Sequence, residues 1–157
     1  MSAMKTAILL HNVRSAHNVG AIFRTADAAG VSHILLTGYT PTPIDRYQRP
    51  QKEIAKTALG AENLLSWEYA KSPVSIMRRL RAEGFQIVGV EQDERARDYR
   101  VFKPERPTVF IFGNEVRGLS RQLRNACDDL IQIPMFGKKE SLNVATTAGI
   151  ILFSALR

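Results

Sequence analysis

The sequence has little that would staple it or anchor it. A single cysteine, Cys127, excludes a disulfide within the chain and fits a reducing compartment. No apolar run approaches the roughly 20 residues a helix needs to cross a bilayer. The start, Met1 to Lys5, leads straight into an apolar strand-like stretch and lacks the long apolar segment of a signal peptide. A cytoplasmic protein without membrane contact is expected. His11, His17 and His33 do not share zinc-ligand spacing with Cys127, so no metal is expected. No G-x-G-x-x-G opens a helix, and there is neither a P-loop nor a G-x-S-x-G elbow. Dinucleotide, nucleoside-triphosphate and serine-nucleophile sites of the usual kinds are thereby disfavoured.

What is present suits one domain, expected over residues 1–157. The apolar share, 45%, is ordinary for a globular chain. Lysine and arginine number 22 against 15 aspartates and glutamates, a net charge of +7. A basic domain attracts polyanions, because Lys and Arg on phosphates release counterions. The same charge also fits a basic protein with no such partner.

Short apolar stretches alternate with helical patterns. Ala7–Leu10, His33–Leu36, Phe85–Val90, Thr108–Phe112 and Leu130–Ile133 read as strands. A helix from about Asn18 carries Val19, Ile22, Phe23 and Ala26 on one stripe and stops at Gly30. Pro41–Pro50 reads as a loop and Gln51–Leu59 as a short helix. Ser72-Pro73 opens a helix with Val74, Met77 and Leu80 inward. Asp93–Pro107 reads as charged and irregular. Ser120 caps a short helix to about Ala126, and a long helix begins near Ser141. This alternation argues for an α/β fold: a mostly parallel sheet with helices on both faces. Ligands of such sheets sit beyond the carboxyl ends of the strands, here at Asn12, Glu91, Gly113-Asn114-Glu115 and Pro134-Met135. The final helix is apolar nearly all round, which fits burial against a second subunit or a central place within one.

Three stretches have room for chemistry. In Asn18 to Asp27, Arg24 lies off the apolar stripe, where a guanidinium can hold a phosphate; a plain N-cap at Asn18 and a surface pair of Arg24 with Asp27 is the alternative. In Phe112 to Ser120, Gly113 permits close approach of a ligand and Glu115 can accept hydrogen bonds from a ribose; ordinary turn chemistry is the alternative. In Ile133 to Asn143, a loop of strand, Pro134-Met135, Gly137 and Ser141-Leu142-Asn143 can wrap a flat heterocycle; a plain strand-to-helix loop capped by Ser141 is the alternative.

Taken together and in this order, these stretches resemble the three signature motifs of the SpoU (TrmH-type) branch of the SPOUT RNA methyltransferases. Asn18-Val19-Gly20-Ala21-Ile22 with Arg24 resembles the first, Phe112-Gly113-Asn114-Glu115 with Gly118-Leu119-Ser120 the second, and Ile133-Pro134-Met135 with Ser141-Leu142-Asn143-Val144 the third. Lys56 to Ala61 is similar to a further family segment on the RNA side. The resemblance implies a C-terminal deep trefoil knot, a homodimer through the knot region and final helix, and S-adenosylmethionine (AdoMet) as methyl donor. It implies methyl transfer to a ribose 2′-hydroxyl of RNA, tRNA ahead of rRNA. Arg24, Asn18, Glu115, Ser141 and Asn143 are its implied catalytic residues. Val90, Glu91, Gly113, Ile133, Met135, Ser141 and Leu142 are the implied cofactor pocket. Without terminal extensions, RNA binding is expected of Arg46, Arg49, Lys52 and Lys56. Two departures stand out: Val116 where the family usually has glycine, and His17 before Asn18. A non-catalytic RNA-binding or ribosome-associated protein keeping the fold is the alternative.

Overall fold

The computed structural model describes residues 4–156. The first strand, β1 (Thr6–His11), is buried along nearly its whole length. Helix α1 (Ala16–Ala29) follows and leads to β2 (His33–Thr37). Helices α2 (Lys52–Ala58) and α3 (Ala61–Leu64) precede β3 (Ser66–Ala70), and α4 (Pro73–Ala82) leads to β4 (Gln86–Val90). A two-residue β5 (Arg97–Asp98) and a 3-10 turn (Tyr99–Val101) precede β6 (Thr108–Phe112). Helix α5 (Arg121–Ala126), β7 (Asp129–Gln132) and α6 (Val144–Ala155) complete the order.

The strands form one sheet in the order β3-β2-β1-β6-β4-β7-β5, every pairing parallel. Alternation along the strands sorts side chains between two cores. Ile8, Leu10, Ile34, Leu36, Phe110 and Phe112 face α1, α2, α3 and α6. Ala7, Leu9, Leu35, Ile87, Val109 and Ile111 face α4 and α5. Both faces are covered, which is why these strands read as continuous apolar runs. Truncating a fully buried member such as Ile8 or Phe110 is worth about 2–5 kcal/mol.

Two starts differ from the sequence expectation. Helix α1 begins at Ala16, and its N-cap is Ser15, whose Oγ accepts from the Asn18 N–H. Asn18 therefore sits in the first turn with its side chain free for other work. Helix α6 begins at Val144 and its cap is Asn143, not Ser141. Asn143 Oδ1 accepts from the N–H groups of Ala145 and Thr146 at 2.8 and 3.2 Å. Gly30 ends α1 in the left-handed conformation, as expected. The 93–107 stretch is less irregular than expected, because β5 adds a short edge beside β7. Sequence reading also passed over β3, where Ser66 and Tyr69 are exposed and Trp67, Glu68 and Ala70 only half-buried.

Helices α1 and α2 meet backbone to backbone at Gly20. A Cβ there would lie 2.0 Å from Thr57 Oγ1 and 2.3 Å from the Ile54 carbonyl oxygen. Thr57 Oγ1 donates to the His17 carbonyl at 2.8 Å and locks the pair. The signature glycine of the first stretch is thus a packing residue, and it fixes α2, which carries Lys52 and Lys56, against α1.

Candidate functional site

The strand order changes direction of growth at β1. The chain adds β2 and β3 on one side, then crosses to build β4, β6 and β7 on the other. Beyond the carboxyl ends of β4, β6 and β7 lies a cleft open to solvent, with about 720 Å³ of free space counted into its open mouth. Crevices beyond the carboxyl ends of the strands are where open parallel sheets bind ligands. All the expected cofactor residues line it: Val90, Glu91, Gly113, Ile133, Met135, Ser141 and Leu142. Glu115 lines it too.

The polar groups that shape the cleft are bonded to one another. Glu115 Oε1 accepts from the Arg14 N–H at 2.9 Å; Oε2 accepts from the Ser15 N–H at 2.9 Å and the Asn18 side-chain amide at 3.2 Å. Asn18 Oδ1 in turn accepts from the Asn143 amide at 3.1 Å. One residue from each signature stretch thus joins a single chain, Glu115–Asn18–Asn143. Burial pushes the Glu115 carboxyl up. The N–H groups of Arg14 and Ser15 and the Asn18 amide outweigh it, holding Glu115 below the usual glutamate value.

Asn114 closes the loop of the second stretch. Its Oδ1 accepts from the N–H groups of Val116 and Arg117, both at 2.9 Å, and the Gly118 N–H returns to its carbonyl at 2.8 Å. Its amide donates to the Asn12 carbonyl and to the Tyr39 hydroxyl at 3.0 and 3.1 Å. Gly118 has φ +64°, and a Cβ there would lie 2.0 Å from Glu91 Oε2. Glycine is therefore required where this loop passes Glu91, which accepts from the Leu119 N–H at 2.7 Å. Val116 has no positive φ, so the backbone makes no demand for glycine there, and its side chain is exposed. Across the cleft, the Gln92 amide donates to the Ile133 carbonyl at 2.7 Å.

Arg24 is not in this cleft. It lines a separate groove with His17, Lys56, Thr57, Leu59 and Phe153. Six residues separate Asn18 from Arg24, about 240° around a helix, so α1 turns them to different sides. Ser141 is exposed at the cleft mouth. Arg46, Arg49, Lys52 and Lys56 are all exposed, the first two on the 38–51 connection and the others on α2. Sequence reading missed Tyr39, Gln92 and Ser15 as parts of the site. Only Ser15, three residues before Asn18, left a signal, that of a capping serine.

The sequence model of the SpoU rRNA Methylase family matches residues 5–153. The chain belongs to this family. The 23S rRNA (guanosine-2'-O-)-methyltransferase RlmB of Vibrio parahaemolyticus is 37% identical over 150 residues, covering 96% of this chain and 58% of that protein. Among solved structures, an AdoMet-bound rRNA methyltransferase from Sinorhizobium meliloti superposes with a TM-score of 0.87 at 34% identity, covering 98% of this chain and 56% of that one. The TrmH/SpoU tRNA modifying enzyme of A. aeolicus gives a TM-score of 0.84 at 29% identity, covering 98% and 74%. The chain spans about three fifths of the length of the curated relatives it matches. Among the described residues, no helix is long and apolar enough to cross a membrane, and no group of His, Cys, Asp and Glu is arranged to hold a metal ion.

Proposed function

We propose that the chain is an AdoMet-dependent methyltransferase acting on a ribose 2′-hydroxyl of RNA, with residues 1–157 as one methyltransferase domain in the cytoplasm. The Glu115–Asn18–Asn143 chain at the lip of the cleft carries this reading, because it links the three signature stretches around one site. The expectation of tRNA is not carried forward. RlmB relatives named for a guanosine of 23S rRNA favour rRNA as the substrate class.

The cleft suits AdoMet by its chemistry. Val90, Ile133, Met135 and Leu142 offer apolar walls for an adenine, and the backbone of Gly113 and Ile133 offers edges to read it. AdoMet supplies an activated methyl on a sulfonium, which needs no metal to be electrophilic. The protein's task is alignment of the hydroxyl and stabilisation of charge on its oxygen. A guanidinium is a poor general base. Arg24 is assigned to phosphate positioning and to a developing alkoxide.

Arg24 and the cleft face different ways within one chain. A complete site then takes Arg24 from one copy and the cleft from another, which fits the homodimer expected from the apolar α6. Phe153 of α6 stands 52% exposed beside Arg24, an uncovered apolar edge of that groove. The reading also takes the C-terminal segment to be knotted. In support, β7 inserts between β4 and β5, and α6 packs on the 3-10 turn that links β5 to β6.

The test is transfer of labelled methyl from AdoMet to 23S rRNA fragments and to tRNA. Label is expected on ribose of the rRNA. Arg24→Ala is expected to lower transfer on the order of 100- to 1,000-fold without changing AdoMet affinity. AdoMet binding with no transfer to either RNA would instead support the non-catalytic alternative.

A further inference from the structure

The 38–51 connection is exposed, yet it is built. Asp45 organises it. Its Oδ1 accepts from the N–H groups of Tyr47 and Arg49 at 2.8 and 3.0 Å, and its Oδ2 from Arg49 Nε at 3.0 Å. Backbone bonds join Asp45 N to the Arg49 carbonyl and Gln48 N to the Asp45 carbonyl, and Gln48 adopts a left-handed φ of +62°. Ile44 and Pro50 close the base as an antiparallel bridge. A non-glycine residue in that conformation is held at a cost, here at a tip whose residues 46–50 bury nothing in either core.

The tip displays one exposed aromatic ring with two cations packed near it. Tyr47 is 61% exposed. The Arg46 and Arg49 guanidiniums lie 4.8 and 4.9 Å from its ring centroid. Among the described residues no carboxylate pairs with Arg46, so one of the two charges is uncompensated. Planar guanidinium and aromatic surfaces are what splayed-out RNA bases stack upon. The tip also leads directly into α2, since Gln51 N donates to the Pro43 carbonyl and Gln51 precedes the helix. Lys52 and Lys56 then lie one turn apart along α2, and Lys56 shares the groove with Arg24. A basic track runs from Arg24 to the tip.

We propose that Arg46, Tyr47 and Arg49 form a stacking clamp for an unpaired nucleobase near the methylated nucleotide. The clamp rests on the RNA reading above and adds to it that the substrate must present a single-stranded base. Fixing Tyr47 and Arg49 through Asp45 removes ordering cost from the bound state. Phosphates are left to Lys52, Lys56 and Arg24.

The experiment measures binding of the full chain to a 23S rRNA hairpin with an unpaired loop and to a fully paired duplex, across salt, with AdoMet titrated separately. Wild type is expected to prefer the loop. Tyr47→Ala is expected to weaken loop binding roughly 5- to 100-fold with an unchanged salt slope, because a stack and not a phosphate contact is lost. Tyr47→Phe is expected to bind as wild type, and AdoMet affinity to stay the same in both. Loop binding by Tyr47→Ala equal to wild type, or equal losses for the alanine and phenylalanine variants, would overturn the clamp alone. A wild type that binds AdoMet but neither RNA would overturn the clamp together with the RNA reading.

Discussion

The cleft beyond β4, β6 and β7 and the Arg24 groove are both lined by signature residues, and they are built in opposite ways. In the cleft, Glu91, Asn114 and Glu115, and Asn143 beside it, each bond at least two donors or acceptors, most of them backbone. At the groove, Arg24 is exposed, Phe153 is half exposed, and Leu59 is 65% exposed while held at φ +51°. A left-handed leucine costs about 1–2 kcal/mol. The first region is preorganised for a ligand of fixed shape. The second is left open, with an exposed guanidinium and exposed apolar side chains and no such bonding, and under the proposed function RNA or another copy would complete it. Substitutions should therefore divide: those in the cleft change stability and AdoMet binding together, and those at the groove change neither.

The sharpest break is Gly118→Val. The new side chain would collide with the Glu91 carboxylate in a backbone conformation that valine resists. Displacing Glu91 frees the Leu119 N–H. A stability loss of about 3 kcal/mol or more is expected from strain plus a lost charged bond. Calorimetric titration should show AdoMet affinity falling at least tenfold, and the comparison fails if the variant binds like wild type.

Glu115→Gln comes next, because it weakens the acceptor of Arg14, Ser15 and Asn18 while keeping its shape. The expected loss near neutral pH is about 1–2 kcal/mol. Its pH dependence has a definite sign. Glu115 titrates lower in the folded chain than its ordinary value, so its contribution is complete above that value and lost as pH falls through the lowered one. Thermal midpoints of variant and wild type should differ at pH 7 and converge in acid. A gap that stays constant as pH falls would show that charge on Glu115 is not what holds the loop.

The same division governs what was legible in the sequence. Strands buried on both faces are apolar throughout, so five of them could be read from runs such as Ala7–Leu10 and Thr108–Phe112. Strand β3 was not legible, because Glu68 and Tyr69 lie at a half-exposed edge beyond β2 and carry no run. The cleft residues were legible because strand ends and a resemblance pointed to the same positions. Their connections were not. Glu115 to Ser15 and Asn18 to Asn143 span about a hundred residues of chain or more, and local pattern carries no such pairing. The apolar run alone puts the start of the last helix near Ser141 and leaves its cap open; Asn143 holds that place because its side chain caps α6 and its amide reaches Asn18.

Asn143 therefore tests the cleft with a smaller effect. Asn143→Ala removes both the cap of α6 and the bond to Asn18, for an expected loss of about 1 kcal/mol. Asn143→Asp keeps an acceptor for the helix N–H groups and loses only the donor to Asn18. If the tie between signature stretches matters for the reaction, the aspartate variant should recover stability and leave methyl transfer impaired. Equal recovery of both would reduce Asn143 to a cap.

Phe153→Ser is expected to do least to the folded chain and so probes the groove alone. The ring is half exposed, and it projects from α6 away from the buried stripe of Val144, Ala148, Ile151 and Leu152. Exposed substitutions away from special features stay within about 0.5 kcal/mol, so thermal stability at low protein concentration should barely move. Self-association is another matter. If the groove is finished by a second copy, sedimentation equilibrium should show a weaker dimer, and methyl transfer should fall with dilution while AdoMet affinity holds. An unchanged dimer would mean that the apolar edge beside Arg24 is covered by RNA, and the two regions would then be completed by the two substrates of one chain.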